Sequence, residues 1–439
     1  MQNLDLSQVK KVFFIGVGGI GISALAKWAI AKGMEVSGLN DEDSPKTLDP
    51  LRDLGAKIFM LPEFKDLGNI PEADLYVYSD AWPYRGPEII KMARDTGKPV
   101  LSYFEALGIF AKDYRVIAIS GTHGKTTTTA MIGEVLIGLG LDPTIVVGSF
   151  VKSFGSNFRE GKSDILVVEA DEYNKHFLNF NPFATIITNI ELDHVDTYLD
   201  LKAVEDTFLK LMKQTSKVLI ANLSNQNIKM LSENVSLDKV NYINYIDELP
   251  NLKVPGEHNR MNASTALALV DYLSLDIQKA KEILAQFSGT WRRLEKRGVT
   301  SEGVIIYDDY AHHPTEVKAS LNALREIYPK DEYRLTVVFQ PHLYSRTKAL
   351  FNEFINAFDE ADRVLLLPIY FAREDKDESI SSVILAGEIS KHKQNVSGYE
   401  DFESLIGEVK ALPFDKKEVF ITMGAGEAYR IADQCFDFK

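Results

Sequence analysis

The apolar run Val116-Ile117-Ala118-Ile119 passes almost directly into Gly121-Thr122-His123-Gly124-Lys125-Thr126-Thr127-Thr128-Thr129. Few folds are open to a strand that stops at glycines and continues through Lys-Thr into a helix, because the turn leaves room only for backbone and points its N–H groups at one spot. That arrangement grips phosphate. Lys125 then reaches the terminal phosphates of a nucleotide and Thr126 holds Mg²⁺, while Gly121, Thr122, His123, Gly124 and Thr127 form the wall of the loop. The full pattern has a further glycine at position 119, where this chain has isoleucine. Four consecutive threonines are poor helix formers at the point where a helix begins; phosphate and metal contacts explain them better than stability does.

A second glycine loop lies near the start. A strand over 9–15 is followed by Gly16-Val17-Gly18-Gly19-Ile20-Gly21, then an apolar helix over 22–31 closed by Gly33. This is the G-x-G-x-x-G fingerprint in its proper strand-to-helix setting, and alone it points to NAD. A strand over 35–39 ends at Asn40-Asp41, about where a ribose-binding carboxylate sits in a dinucleotide domain. Further strands over 75–78, ending at Ser79, and at Val100-Leu101 precede a break at Lys112-Asp113. That is short for a six-stranded dinucleotide domain, so a mononucleotide diphosphate fits at least as well.

The 439 residues are too many for one core and imply about three domains. A formal net charge of -14 argues against a nucleic-acid partner, since a polyanion is repelled without a strong basic patch. Residues 1–10 lack the apolar core of a signal peptide, and no run is long enough to span a bilayer. Cys435 is the single cysteine, which excludes an internal disulfide and a thiolate metal cluster. A cytoplasmic location is expected.

In the middle of the chain two more strands end in polar groups. Residues 165–168 run into Glu169-Ala170-Asp171-Glu172, and 184–188 into Asn189-Ile190-Glu191-Leu192-Asp193-His194-Val195-Asp196. Ligands bind at the carboxyl ends of parallel strands, so these groups should converge on the glycine loop, with Glu169 placed like a Walker-B carboxylate and His194 as a second-metal ligand. Pro255-Gly256-Glu257-His258-Asn259 opens a helix to about Leu273, for which Asn259 is also a plausible N-cap. Arg292-Arg293 suits a fork-like grip on phosphate. Residues 224–253 read as a loosely structured insertion. From about Gly298 the pattern is again α/β, with strands over 304–307, 335–339, 364–367 and 419–422 and helices over 315–327 and 347–358. Its strand ends carry Asp308-Asp309-Tyr310-Ala311-His312-His313-Pro314, Gln340-Pro341-His342-Leu343-Tyr344-Ser345-Arg346 and Met423-Gly424-Ala425-Gly426-Glu427.

Nine stretches now run in order: GVGGIGIS, SGTHGKTTTT, VVEADE, TNIELDHVDTY, PGEHNRMNA, FSGTWRRLE, DDYAHHPTE, FQPHLYSRT and TMGAGE. Together they resemble the Mur ligase family, ATP-dependent amide-bond-forming ligases that build the peptide of peptidoglycan, and in particular its alanine-adding branch. The resemblance covers essentially the whole chain. It implies an α/β protein of three domains: a Rossmann-like one over 1–112 for UDP-N-acetylmuramate, a central P-loop ATPase with a mostly parallel sheet over 113–297, and a Rossmann-like one over 298–439 that receives L-alanine. It places Gly18, Gly19, Ile20 and Ser79 against the UDP-sugar, which displaces NAD. Lys125 and Thr126 would serve the ATP phosphates and a first Mg²⁺, Glu169 and His194 a second. Asn189, His258, Asn259 and Asn262 would contact the nucleotide and Arg293 the γ-phosphate, while Asp309, Tyr310, His312 and Arg346 would complete the site. The expected partners are these small molecules, without nucleic acid or membrane, for a monomer or weak homodimer. Asn40 stands where members often carry aspartate, and Leu343 where many alanine-adding relatives have arginine.

The chemistry so implied is acyl activation: a substrate carboxylate attacks the ATP γ-phosphate, and an amine then attacks the acyl phosphate. His312 or a nearby carboxylate takes the amine proton. EADEY and RLE also match the recycling ligase that attaches an intact tripeptide, whereas FQPHLYSRT and DDYAHHPTE favour alanine. A nucleotide-binding regulator without catalysis has no need of Lys125, Glu169 and His194 together, and a nicotinamide oxidoreductase leaves the Lys-Thr loop unexplained.

Overall fold

The computed structural model describes residues 4–66, 68–195, 197–371, 374–414 and 417–438. Asp196 of the TNIELDHVDTY stretch and residues 1–3 lie outside the described residues. The chain forms two compact units, one of residues 1–190, 202–250 and 263–284, the other of 191–201, 251–262 and 285–439.

The first unit holds two sheets. One has strands β1 (Lys11–Ile15), β2 (Glu35–Asn40), β3 (Lys57–Met60), β4 (Leu75–Tyr78) and β5 (Val100–Ser102), all parallel, in the order β3-β2-β1-β4-β5. The other has β6 (Arg115–Ser120), β7 (Thr144–Val151), β8 (Ser156–Arg159), β9 (Ile165–Glu169), β10 (Ala184–Ile187), β11 (Val218–Ala221) and β12 (Asp238–Asn241), in the order β12-β11-β10-β6-β9-β7-β8. Only the edge strand β8 runs antiparallel to its neighbour. The central strands of such sheets are covered on both faces, which is why Val12-Phe13-Phe14-Ile15 and Leu166-Val167-Val168 are apolar without alternation and buried throughout. In each sheet the strand before a glycine loop, β1 or β6, lies where the strand order reverses, and there the crevice beyond the carboxyl ends opens.

The two sheets share an apolar face. Helix α1 (Ile20–Ala31) packs on β7 and β8, with Trp28 against Phe110, Tyr114 and Phe158. Lys27, only 6% exposed, sits in the same face and donates to Asn157 Oδ1 at 2.8 Å and Ser156 Oγ at 3.1 Å. Burial lowers its pKa to about 8. Asn157 in turn donates to the Ile20 carbonyl at 2.5 Å and to Ser23 Oγ at 3.0 Å, so the buried polar groups satisfy one another.

The second unit is built on β13 (Glu295–Val299), β14 (Ile305–Asp309), β15 (Tyr333–Phe339), β16 (Arg363–Leu366), β17 (Val396–Gly398) and β18 (Lys417–Met423), in the order β13-β14-β18-β15-β16-β17. It is parallel apart from β13, which pairs antiparallel with β14. Phe339, Phe354 and Phe358 fill one face of the sheet with Leu321 and Leu324, and Phe420, Leu405 and Ile431 the other.

Two expectations fail. Residues 224–253 are ordered: a helix, Gln226–Ser232, is capped by the Asn225 side chain, β12 closes the sheet edge, and a 3-10 segment follows over Tyr242–Glu248. As a half-exposed edge strand, β12 is too polar in sequence to be recognised, yet the fully buried β11 needs a neighbour for its backbone. The helix expected over 347–358 is instead two short ones, Tyr344–Ala349 and Phe351–Ile355, separated at Leu350 (φ -107, ψ 25). Among the described residues no helix is long and apolar enough to cross a membrane.

Candidate active site

In the first unit β6 leads into the glycine loop and then α2 (Lys125–Gly138). Gly121 has φ 131, and a Cβ there would collide with Thr188 Oγ1, so the position demands glycine. Asn189, at the end of β10, pins the loop by accepting from the His123 N–H at 2.9 Å and donating to the His123 carbonyl at 3.1 Å. Thr188 Oγ1 also donates to that carbonyl, at 2.5 Å, and the Tyr242 hydroxyl holds the Thr188 carbonyl at 2.7 Å. Thr122 N donates to the Asn189 carbonyl at 3.2 Å. The loop is thus fixed before any ligand arrives. Thr126, Thr127, Thr128 and Thr129 are all buried.

Lys125 Nζ donates to the Gly121 carbonyl at 2.7 Å and the Thr122 carbonyl at 3.2 Å, and pairs with Glu172 at 2.8 Å. Burial opposes its charge, but Glu172, Asp171 and Glu169 outweigh burial and hold the ammonium above the ordinary lysine range. Thr126 Oγ1 donates to Glu169 Oε1 at 2.9 Å, and the other Glu169 oxygen accepts from Gly148 N at 2.7 Å. A hydroxyl and a carboxylate meeting at the loop are the hard oxygen donors that suit Mg²⁺.

The first glycine loop has a different neighbourhood. At Gly16 (φ 81) a Cβ would run into the Trp82 indole. Gly18 N donates to Asn40 Oδ1 at 3.0 Å, and the Gly18 carbonyl accepts from Thr47 Oγ1 at 2.8 Å. Asn40 Nδ2 donates to the Glu42 carbonyl at 2.7 Å, so Asn40 is spent on holding the loop. Asp41, at the position of a ribose-binding carboxylate, pairs with Arg85 at 2.8 Å. Gly19 caps α1, Ile20 is its first residue, and Ser79 follows β4, on the neighbouring strand of the same crevice.

In the second unit Asp309 ends β14 and the turn after it carries Tyr310 and His312. Asp309 is buried, accepts from Ser320 Oγ, and is pushed up to about 6 by burial. His312 Nδ1 lies 3.0 Å from the Tyr310 carbonyl, which fixes the tautomer with Nδ1–H donating and leaves Nε2 with its lone pair. Burial lowers its pKa to about 4, so the ring is neutral near pH 7. Arg346 Nε donates to Asp193 Oδ1 at 2.8 Å, Arg346 Nη1 lies 3.1 Å from His342 Nδ1, and His342 stacks on Tyr370. Although Asp193 is buried, Arg346, His194 and His312 hold its carboxyl well below the usual carboxylate range. His194 belongs to this unit, at φ 51, with its N–H donating to Asp193 Oδ1 at 2.7 Å.

The arginine pair divides. Arg292 is buried and consumed by Asp308 (2.8 Å) and the carbonyls of Gly424 (2.7 Å) and Gly426 (3.2 Å). Arg293 stacks over the Tyr310 ring at 4.9 Å. Asn259 is not an N-cap; helix α3 (Glu257–Tyr272) has already begun, and its side chain donates back to the Pro255 carbonyl at 2.7 Å. Asn262 Nδ2 lies 3.5 Å from Asn259 Oδ1. His258 is lowered to about 4 by burial.

The structure therefore gathers Gly121, Thr122, His123, Gly124, Lys125, Thr126, Thr127, Glu169 and Asn189 at one crevice, Gly18, Gly19, Ile20 and Ser79 at a second, and Arg293, Tyr310, His312 and Arg346 in the other unit. Sequence reading counted Glu172, Asp193 and His342 among the polar strand ends but gave none of them a role, and it passed over Thr188. Each stands beside a residue it did single out, but only side-chain direction reveals the contact.

Residues 11–115 match the profile "Mur ligase family, catalytic domain", 119–251 "Mur ligase middle domain" and 292–426 "Mur ligase, glutamate ligase domain". The chain is 35% identical over 460 residues to UDP-N-acetylmuramate--L-alanine ligase of Clostridium kluyveri, covering 98% of this chain and 99% of that one. It is 36% identical to the enzyme of the same name from Clostridium acetobutylicum, covering 97% of each. Among solved structures, UDP-N-acetylmuramate-alanine ligase of Thermotoga maritima superposes with a TM-score of 0.77 at 27% identity, over 97% of each chain. A murein peptide ligase of Psychrobacter arcticus shares the fold, with a TM-score of 0.72 at 20% identity over 97% of this chain and 98% of that one.

Proposed function

Because the chain belongs to the Mur ligase family, we propose that it is an ATP-dependent ligase joining L-alanine to the carboxylate of UDP-N-acetylmuramate, as part of cytoplasmic peptidoglycan synthesis. The observation that carries this reading is the fixed glycine loop, with Lys125 and the Thr126–Glu169 contact at the reversal point of its sheet. The likeness to the alanine ligases of the two Clostridium species over nearly the whole chain supports the choice of amine. We place the domain boundaries near 112, between the first two sheets, and near 298, within the edge strand β13 that opens the third.

The loop N–H groups and Lys125 receive the ATP phosphates, and the first glycine loop, with Gly18, Gly19, Ile20 and Ser79, receives the UDP-sugar. A carboxylate oxygen of the sugar attacks the γ-phosphorus, the bond to the β-phosphate oxygen breaks, and ADP leaves an acyl phosphate. Mg²⁺, for which Thr126 and Glu169 are the candidate ligands in the first unit, would supply charge neutralisation on the phosphoryl oxygens when bound. The amine nitrogen then attacks the acyl carbon, gives up a proton, and expels inorganic phosphate to leave the amide. The neutral His312, its Nε2 lone pair free of the Tyr310 contact, is suited to take that proton. Arg346 and Arg293 supply positive charge, for the amino-acid carboxylate and the γ-phosphate respectively.

The purified chain with UDP-N-acetylmuramate, L-alanine, ATP and Mg²⁺ should release phosphate and form the UDP-muramoyl-alanine product. Absence of phosphate release with any amino acid or peptide sinks the reading. Competition of L-alanine against the L-Ala-D-Glu-diaminopimelate tripeptide separates the alanine-adding from the recycling activity.

A further inference from the structure

The Lys125 ammonium has three hydrogens, and the protein uses all three: Gly121 O at 2.7 Å, Glu172 Oε2 at 2.8 Å and Thr122 O at 3.2 Å. It faces the carboxylates of Glu172, Asp171 and Glu169. A phosphate-binding loop ordinarily offers an incoming anion a net positive field. Here the one ammonium is already paired with Glu172 and lies within the electrostatic reach of Asp171 and Glu169, which offsets the positive field that a bare polyphosphate would need.

Glu172 cannot step aside. It is 2% exposed, and its backbone begins the 3-10 segment Tyr173–Asn179, where the Lys175 N–H returns to the Glu172 carbonyl at 2.9 Å and Phe177 N to the Asp171 carbonyl at 2.9 Å. Asn174 and Lys175 hold this turn at φ 47 and 61, a left-handed pair that packing must impose. The long, flexible lysine is the partner that can move.

We propose that Glu172 is a positioning residue that holds Lys125 in reserve and makes nucleotide binding at this loop depend on a divalent cation. The inference rests on the phosphate-loop reading above. An incoming nucleotide that brings its own cation offsets the carboxylate charge, releases one Lys125 hydrogen from Glu172 and gains it for a phosphate oxygen. A nucleotide without the cation must break the Lys125–Glu172 pair against the repulsion of all three carboxylates.

The test uses ADP, which avoids turnover, and calorimetry on the full chain in Mg²⁺ and in EDTA. For the wild type the dissociation constant in EDTA should exceed that in Mg²⁺ by at least thirtyfold, roughly 2 kcal/mol. In Glu172→Gln this ratio should collapse by tenfold or more, through tighter binding of metal-free ADP, while Glu172→Asp keeps the wild-type ratio. A residue that merely supports the fold would weaken binding equally in both buffers. An unchanged ratio in Glu172→Gln overturns the proposal, as does a wild-type ratio below threefold, which needs no variant to fold. If the wild type binds ADP in neither buffer, it is the phosphate-loop reading that fails.

Discussion

Replacing Arg292 and Arg293 in turn by methionine asks which of two adjacent arginines the second unit needs in order to stand. Arg292→Met removes a guanidinium held by Asp308 at 2.8 Å and by the Gly424 and Gly426 carbonyls, with both ionic side chains at most 5% exposed. Breaking a buried pair by deleting one partner costs about 3–5 kcal/mol. The lower end applies, since burial already raises the Asp308 pKa against the pull of Arg292, so the orphaned carboxyl takes a proton instead of staying charged. A loss of about 3 kcal/mol corresponds to roughly a hundredfold faster opening. Hydrogen exchange read by mass spectrometry on peptides covering Ile305–Asp309 and Lys417–Met423 should show that acceleration and leave the first unit's peptides unmoved. Pairing Arg292→Met with Asp308→Asn should recover part of the loss, because no unpaired ionisable group then remains. Arg293→Met, losing a stack on Tyr310 and a charge near Asp309, should accelerate exchange less than fivefold yet cut ligase activity by at least a hundredfold. Less than fivefold acceleration in Arg292→Met, or the larger effect in Arg293→Met, refutes the assignment of one arginine to the fold and its neighbour to the chemistry.

Asn189→Ala removes both side-chain bonds to the His123 backbone; calorimetry should show ADP bound 10- to 100-fold more weakly, at roughly 1.4–2.7 kcal/mol, with the fold intact. His258, held at about 4 against the ordinary histidine value of 6.5, remains neutral in the folded chain where the unfolded chain protonates, so stability should fall as pH drops from 6.5 towards 4. His258→Gln should flatten that limb in urea titrations. The same sign governs Lys27, lowered to about 8 from 10.5: the unfolded chain binds the extra proton between these values, so stability of the first unit should rise with pH from 8 to 10.5. Lys27→Met should abolish the rise, of order 2–3 kcal/mol, in thermal unfolding at graded pH.

Much of the architecture was open to reading because parallel strands are buried on both faces and therefore announce themselves as apolar runs ending in glycine or acid. The strand Leu75–Tyr78 and helix α2 fall where the pattern placed them. What stayed hidden was set by neighbours distant in sequence. Polar β12 is a strand only because β11 needs an edge. Arg292 and Arg293 are indistinguishable as letters, and the φ of 55 at Arg292 decides which of them turns inward. Asn259 looked like a cap because caps are chosen by residue type, whereas the helix had started two residues earlier. Lys125 was placed rightly in its loop, but its partner Glu172 lies 47 positions away, and a strand-end acidic run does not say which carboxylate faces the amine.

The face shared by α1, β7 and β8 bears on any attempt to divide this molecule. A cut between Phe110 and Arg115 would leave Trp28 on one piece and Phe158 on the other, with Lys27 stripped of the Asn157 oxygen that accepts its hydrogen bond. Neither fragment could be expected to remain dispersed alone; mixed together, they should find each other again through that greasy seam. The two glycine loops are thus carried on one block, and a tethered inhibitor addressed to both would meet a spacing that the protein has set in advance.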